Sequence, residues 1–259
     1  LKYILFLCLF CISLISNDDI LKKYSDTMII KDLNTKQTLL SFNETKKVSP
    51  ASLTKILTAI VAIETKRMDE KFTITKEMIN VEPTKINLKV GDTIFVKDLV
   101  HAILISSSND AAKSLSIYLG NGKEQNFIDK MNEKTKKIGM KNSHFTNASG
   151  FDIGNHHSTS EDLMKLAEYA VKNKLFNEIV KKKEYTFYST NTNTKYVSKT
   201  HNKLLNSEEH AIGIKTGYTK KAGPCLIARI KKDKKDILII VLNAKINRFD
   251  AAKNIFALI

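Results

Sequence analysis

Pro50-Ala51-Ser52-Leu53-Thr54-Lys55-Ile56-Leu57-Thr58-Ala59-Ile60-Val61-Ala62-Ile63 is the stretch on which the reading of this chain turns. From Leu53 onward, apolar residues fall on nearly every side of a helix, and such a helix belongs in the centre of a fold. Ser52 stands in its first turn, where backbone N–H groups lack partners and the helix dipole favours negative charge. Lys55 follows three residues later, so the two side chains share a face and can touch. A serine hydroxyl is a weak nucleophile without a base to take its proton. Burial among Ile and Leu drives a lysine toward its neutral form, and a second cation nearby drives it further.

Two more motifs stand downstream in a fixed order. Ser107-Ser108-Asn109 comes 55 residues after Ser52, and Lys215-Thr216-Gly217 comes 163 residues after it. Ser-x-x-Lys and Lys-Thr-Gly each occur once, whereas Ser-x-Asn also occurs at Ser41 and Ser189 and is specific only through its context. The order Ser-x-x-Lys, Ser-x-Asn, Lys-Thr-Gly points to an enzyme that acylates its own serine. Lys215 supplies the second cation. Ser107 and Asn109 fall in a polar break between two helices, where Ser107 is placed to relay a proton from Lys55 to a leaving amine. Asn109 is placed to hydrogen-bond the substrate's peptide group. Lys215 and Thr216 suit a substrate carboxylate, Gly217 suits a substrate lying along a strand edge, and the N–H groups of Ser52 and Tyr218 suit an oxyanion hole.

The remaining pattern places strands at both ends of the chain and helices between. Strands are expected at 24–31 and 38–42, joined by a turn at Asn34-Thr35-Lys36, and again at 212–218, 225–230 and 236–243, with a hairpin at 185–188 and 195–198. Helices are expected at 97–105, 110–119, 124–138, 160–172 and 249–259, with a capping box at Ser158-x-x-Glu161 or Thr159-x-x-Asp162 opening the fourth. Short links between the last strands make the sheet largely antiparallel, so the fold class is α/β of the α+β type.

With 259 residues, 42% of them hydrophobic, the chain supports one large core. Residues 1–16, with Lys2 ahead of an apolar run, read as a signal peptide or N-terminal anchor too short for a comfortable membrane span of ~20 residues. Residues 17–259 then form a single catalytic domain. Beyond the leader, Cys225 is the sole cysteine, which rules out an internal disulfide. The formal charge of +15 comes from lysines spread along the whole chain, dense only at Lys181-Lys182-Lys183 and at 231–235. This is a solvated surface open to peripheral contact with an anionic envelope, and export argues against nucleic acid.

These motifs and their flanks resemble the serine D-alanyl-D-alanine carboxypeptidases, the low-molecular-mass penicillin-binding proteins. The resemblance runs through Pro50 to Lys55, Lys97-Asp98-Leu99-Val100, Ser107-Ser108-Asn109-Asp110-Ala111-Ala112, Gly139 to Phe145, Gly150-Phe151-Asp152 and Gly213 to Thr219. It implies a β-lactamase/transpeptidase-like fold, with a sheet flanked by helices, a helical subdomain and the active site between them. The expected enzyme is exported, to the periplasm or the outer face of the cytoplasmic membrane, and monomeric. Its substrates are D-Ala-D-Ala-terminated peptidoglycan stem peptides, β-lactams inhibit it, and it needs no metal or organic cofactor.

Ser108 stands where the family usually has glycine, which predicts a small change in loop shape. Pro224 stands where a non-proline residue is usual and is expected to blunt a sheet edge. Many members continue into a β-rich domain and an amphipathic anchor; the sequence ends after the catalytic domain's last helix, which favours a soluble protein outside the membrane. His157 is the histidine to watch, with a helix-entry hydrogen bond as its expected role. Competing readings are a D,D-endopeptidase using the same residues, a β-lactamase and an inactive wall-binding protein. The β-lactamase reading is weakened because no Glu-x-x-x-Asn occurs, and the inactive reading is weakened because every chemical residue is present.

Overall fold

The structure, a computed structural model, describes residues 21–259; the leader read at 1–16 lies outside them. Its spine is β9 (Lys235–Ala244), whose run Ile237-Leu238-Ile239-Ile240-Val241-Leu242 is apolar at every position and buried on both faces. Side chains alternate across a strand. Thus Leu238, Ile240 and Leu242 join one apolar cluster, while Ile237, Ile239 and Val241 join another on the opposite face. A strand that is apolar throughout needs cover on both sides, and the fold supplies it.

Around β9 the sheet runs β2 (Thr38–Phe42), β1 (Ser25–Asp32), β9, β8 (Gly223–Lys232) and β7 (Ala211–Thr219), with every neighbour antiparallel. Strands from both ends of the chain therefore meet at β1–β9. The dense lysine run at 231–235 is the tight β8–β9 turn, in which Lys232 pairs with Lys235 and Asp233 takes a φ of 52°. Pro224 sits on β8, the second strand, opposite Tyr218. The sheet edge is β7, so Pro224 does not blunt it.

One face of the sheet is covered by α9 (Arg248–Leu258) through Phe249, Ala252 and Ile255. On the other lie α6 (Ser160–Ala170) and α1 (Thr54–Glu64), the latter buried from Thr54 to Ala62 as the all-apolar pattern requires. Between α1 and α6 in the chain come first β3 (Lys71–Thr73), α2 (Lys76–Ile79) and β4 (Thr93–Phe95), where the sequence carries only mixed signals. The helical half is completed by α3 (Val96–Ile105), α4 (Asn109–Leu119) and α5 (Glu124–Lys137), and α1 touches all three. At α6 the cap is Thr159, whose hydroxyl accepts from the Asp162 N–H.

A seven-residue helix, α7 (Lys174–Val180), is not foreshadowed by periodicity; Asn173 caps it, and Asn177 on it accepts from Arg229 of β8. The hairpin β5 (Glu184–Tyr188) and β6 (Lys195–Lys199) follows, then the short α8 (Leu204–Ser207).

Arg229 also reaches across the sheet to Asp236 with two parallel bonds of 2.7 Å, Nε to Oδ1 and a terminal guanidinium N–H to Oδ2. Both side chains are largely buried, and removing one partner of such a pair leaves the other charge uncompensated. Asp236→Ala is expected to lower the unfolding free energy by about 3 kcal/mol in a denaturant titration, with the sheet ladder otherwise intact.

Candidate active site

Ser52 lies in a short 3-10 turn, Ala51–Leu53, that leads into α1, so its side chain is half-buried at the mouth of a buried helix. The turn is gripped from two sides. On one, Gly150 sits so close that a Cβ there would come within 1.9 Å of the Ala51 carbonyl oxygen and 3.0 Å of the Ser52 nitrogen. On the other, a Cβ on Gly217 of β7 would lie 3.2 Å from the Pro50 carbonyl oxygen. Gly217 therefore makes room for the nucleophile turn. Ala51 itself takes a φ of 49°, a left-handed conformation that costs an L-residue ~1–2 kcal/mol.

Lys55 is fully buried and its Nζ faces three oxygens: Ser149 O at 2.6 Å, Asn109 Oδ1 at 2.7 Å and Ser52 Oγ at 3.0 Å. Three acceptors match the three N–H groups of an ammonium. Burial, and then the charge of Lys215, push the amine well below its ordinary pKa, against a smaller opposing pull from Asp110. The neutral amine keeps two N–H groups for the two carbonyl oxygens, the two shortest contacts. Its lone pair is then left toward Ser52 Oγ, ready to accept that hydroxyl's proton.

The second motif forms the break between α3 and α4. Ser107 takes a φ of 61°, which turns the chain there. It is 6% exposed, and its hydroxyl makes no hydrogen bond among the described residues; Lys55 contacts Asn109 and not Ser107. Asn109 is committed at both ends of its amide, Oδ1 to Lys55 and Nδ2 to the Glu82 carbonyl at 3.0 Å. In this resting arrangement it positions the lysine, and its amide keeps one N–H beyond the bond to Glu82. Ser108 does more than adjust loop shape. Its hydroxyl accepts the Ile86 N–H at 3.2 Å and donates to Asp110. Asp110 takes the Leu88 N–H at 3.0 Å, and the Asn109 N–H meets Thr84 O at 2.7 Å. Residues 82–88 thus form a strap fastened to the start of α4.

On β7, Lys215 is 2% exposed and its Nζ donates to Thr216 O at 3.0 Å. Burial first, and the nearby Arg248 second, bring its pKa down to about 7. Thr216 is buried beside it, while Tyr218 is 63% exposed on the edge strand. Arg248 is absent from the motif reading. It opens α9 and donates to Gly217 O at 2.7 Å and Cys225 O at 3.3 Å. A usable signal existed: the chain has only three arginines, Arg67, Arg229 and Arg248, among its many lysines. Arg229 makes a two-bond fork that a lysine's point charge does not reproduce. Arg67 reaches one Glu70 oxygen through two of its nitrogens, and Arg248 donates to both carbonyls from one terminal nitrogen.

The histidine that matters structurally is His156, not His157. His157 donates to Asn155 O at 2.9 Å and pairs by backbone with His144, and the helix entry is left to Thr159. His156 is 3% exposed. Its Nδ1 accepts the Thr146 N–H at 3.1 Å, which places the proton on Nε2, 2.9 Å from Thr54 Oγ1. Asn147 Oδ1 beside it accepts the N–H groups of Ser149, Gly150 and Phe151. The segment that ends in the carbonyl on Lys55 is therefore locked to the first turn of α1. Among the described residues, no group of three His, Cys, Asp or Glu side chains converges to hold a metal.

The profile of the family described as D-alanyl-D-alanine carboxypeptidase matches residues 16–246. A D-alanyl-D-alanine carboxypeptidase of Bacillus subtilis is 28% identical over 83% of this chain, and the chain spans only 56% of that relative's length. A D-alanyl-D-alanine endopeptidase of Pseudomonas aeruginosa is 31% identical over 85% of this chain and 71% of its own. Among solved structures, the Streptomyces K15 DD-transpeptidase superposes with a TM-score of 0.84 at 31% identity, covering 90% of this chain and 95% of that one.

Two outcomes follow from the geometry. Gly150→Ala drives a Cβ into the Ala51–Ser52 peptide, at a φ of 90° that already disfavours a side chain. A benzylpenicillin acylation assay is expected to show at least a 100-fold slower reaction, because displacement of about 1 Å at the reacting atom costs on that order. His156 is pushed down to about 4 by burial, below the ordinary 6.5. Its neutral form stabilises the fold fully above the unfolded value, and that contribution is lost as pH falls from 6.5 to about 4. Denaturant unfolding across this window is expected to show wild-type stability falling about 3 kcal/mol more than that of His156→Gln.

Proposed function

Since the chain belongs to the D-alanyl-D-alanine carboxypeptidase family, we propose that it removes the terminal D-Ala from peptidoglycan stem peptides through an acyl-enzyme on Ser52, and that β-lactams block it by acylating the same serine. The observation that carries this reading is the Lys55 amine, held by the Ser149 and Asn109 oxygens with its remaining direction on Ser52 Oγ.

The steps follow from that placement. Lys55 takes the Ser52 proton as Oγ attacks the carbonyl of the penultimate D-Ala. The N–H groups of Ser52 and Tyr218 hold the oxyanion; one such donor is typically worth ~3–4 kcal/mol. Lys215, Thr216 and Arg248 gather positive charge and a hydroxyl at one end of β7, the environment a terminal carboxylate requires. That carboxylate distinguishes a D-Ala-D-Ala terminus from an internal peptide. The proton on Lys55 passes through Ser107, whose hydroxyl is otherwise uncommitted, to the departing amine of D-Ala. Water then attacks the acyl-serine while Lys55 again takes a proton, and Ser52 Oγ leaves with it.

We place the enzyme outside the cytoplasmic membrane on the character of residues 1–16, with its lysine-rich surface toward an anionic envelope. Among the described residues, no helix is long and apolar enough to cross a membrane. A D,D-endopeptidase that cuts cross-links with the same residues is the second reading, favoured by the similarity to the Pseudomonas endopeptidase.

Mass spectrometry after incubation with benzylpenicillin is expected to show one penicilloyl adduct on the Ser52 peptide, together with D-Ala release from a pentapeptide ending in D-Ala-D-Ala. Ser52→Ala should abolish both, and Lys55→Ala should slow acylation by ~10²–10⁴. An adduct without D-Ala release, combined with cleavage of a cross-linked dimer, would move the assignment to the endopeptidase. Wild-type turnover by Ser52→Ala would end both readings.

A further inference from the structure

Residues 82–88 cross the start of α4, and their contacts with it alternate. The Glu82 carbonyl accepts from Asn109 Nδ2 at 3.0 Å, and the Thr84 carbonyl accepts from the Asn109 backbone N–H at 2.7 Å. The Ile86 N–H then donates to Ser108 Oγ at 3.2 Å, and the Leu88 N–H donates to Asp110 Oδ2 at 3.0 Å. Leu88 is buried at one end of this strap, whereas Glu82, Pro83 and Thr84 are exposed at the other. The exposed end is therefore held by hydrogen bonds to residues 108–110 rather than by packing. Ser108 stands at the N-cap of α4, where a serine ordinarily bonds to the helix's own free N–H groups. Its hydroxyl makes no such bond. Fully buried, it accepts from Ile86 and donates to Asp110, whose Oδ1 also takes the Ile86 N–H at 3.3 Å. A glycine at this position offers no hydroxyl and leaves the strap one clasp short.

The strap bears on the reacting atoms through one side-chain amide. A carbonyl oxygen only accepts, so the Glu82 carbonyl keeps the nitrogen of the Asn109 amide on its own side and the oxygen on the side of Lys55. Turned over, the amide would set its oxygen against the Glu82 oxygen with no proton between them. It would also offer an N–H to the Lys55 lone pair, the pair that must accept the Ser52 proton. Which end of Asn109 meets Lys55 is thus decided by a carbonyl on an exposed segment, and that segment is fastened by Ser108.

We propose that Ser108 is a positioning residue for acylation: by clasping residues 82–88 it keeps the Glu82 carbonyl on Asn109, so that the Asn109 oxygen faces Lys55 and the lysine's lone pair stays on Ser52. The proposal rests on the reading of Ser52 as the acylated serine. Ser108 itself touches neither Ser52 nor Lys55 among the described hydrogen bonds, and acts only through the strap and Asn109.

The test follows benzylpenicillin acylation over a range of concentrations in the wild type, Ser108→Ala, Ser108→Gly, Ser108→Thr, Asn109→Ala and the double variant Ser108→Ala with Asn109→Ala. The rate at saturation is expected to fall about fivefold in Ser108→Ala and Ser108→Gly, the worth of one hydrogen bond near 1 kcal/mol, with the half-saturating concentration unchanged. Ser108→Thr, which keeps the hydroxyl, restores the rate. In the Asn109→Ala background the change Ser108→Ala costs nothing more, because the side chain through which it acts is gone. Hydrogen exchange at the Ile86 and Leu88 amides reads the clasp without reference to activity, and it quickens in Ser108→Ala but not in Ser108→Thr. Wild-type acylation rates in both Ser108→Ala and Ser108→Gly, or the same fivefold loss when Asn109 is already alanine, overturn the positioning role while the adduct on Ser52 upholds acylation. Slowed acylation with unaltered exchange at Ile86 and Leu88 also overturns it, since the effect then does not pass through the strap. No adduct on Ser52 in the wild type overturns the acylation reading and the positioning role with it.

Discussion

An amine held out of water beside a serine is the constraint on which this structure depends. Lys55 has no solvent to hydrate it, so its state is set by what the fold aims at it: the carbonyl of Ser149, the amide oxygen of Asn109, the hydroxyl of Ser52 and, further off, the charge of Lys215. Each comes from a different part of the chain. Ser149 arrives on a turn organised by Asn147 and His156, Asn109 opens α4, Ser52 lies one turn before Lys55, and Lys215 belongs to the edge strand of the sheet. The sheet built from both chain ends and the all-buried α1 bring three oxygens onto one nitrogen and the charge of Lys215 within its reach.

That arrangement opposes folding. Lys55 and Lys215 both have pKa values below the ordinary 10.5, so the unfolded chain binds protons that the native state gives up. Stability attributable to Lys215 therefore rises as pH climbs from about 7 toward 10.5, and at neutral pH the site is held against a cost. Left-handed conformations at Ala51 and Ser107 add strain at the two turns that carry chemistry. What offsets this is ordinary: an apolar sheet buried on both faces, the bidentate Arg229–Asp236 pair and a strap at 82–88 bonded to Ser108, Asn109 and Asp110.

Much of this was legible in the chain. The all-round apolarity of 53–63 announces a central helix, and the apolar strands near both ends announce a sheet shared between them. The three motifs mark three of the positions that converge on the site because short side-chain patterns encode local geometry well. Long-range commitments were not legible. Nothing local says that Asn109 spends its amide on Lys55 and Glu82, that Gly217 yields space to Pro50, or that Ser149 contributes a carbonyl, since backbone groups carry no sequence identity. His157 drew notice over His156 because the two differ only in burial, which a tertiary fold decides. Arg248 and the seven-residue α7 escaped for the same reason: one residue and two turns are too short for periodicity to reveal.

The most direct measurement is an NMR titration of the Lys55 side chain in protein carrying isotope-labelled lysine, with the signal assigned by its loss in Lys55→Arg. A midpoint well below 10.5 in the folded enzyme, moved upward when Lys215 is replaced by methionine, is the expected result. A Lys55 amine that titrates at the ordinary lysine value, whether or not Lys215 is present, would mean that it is an ammonium throughout the working range and cannot be the base that activates Ser52.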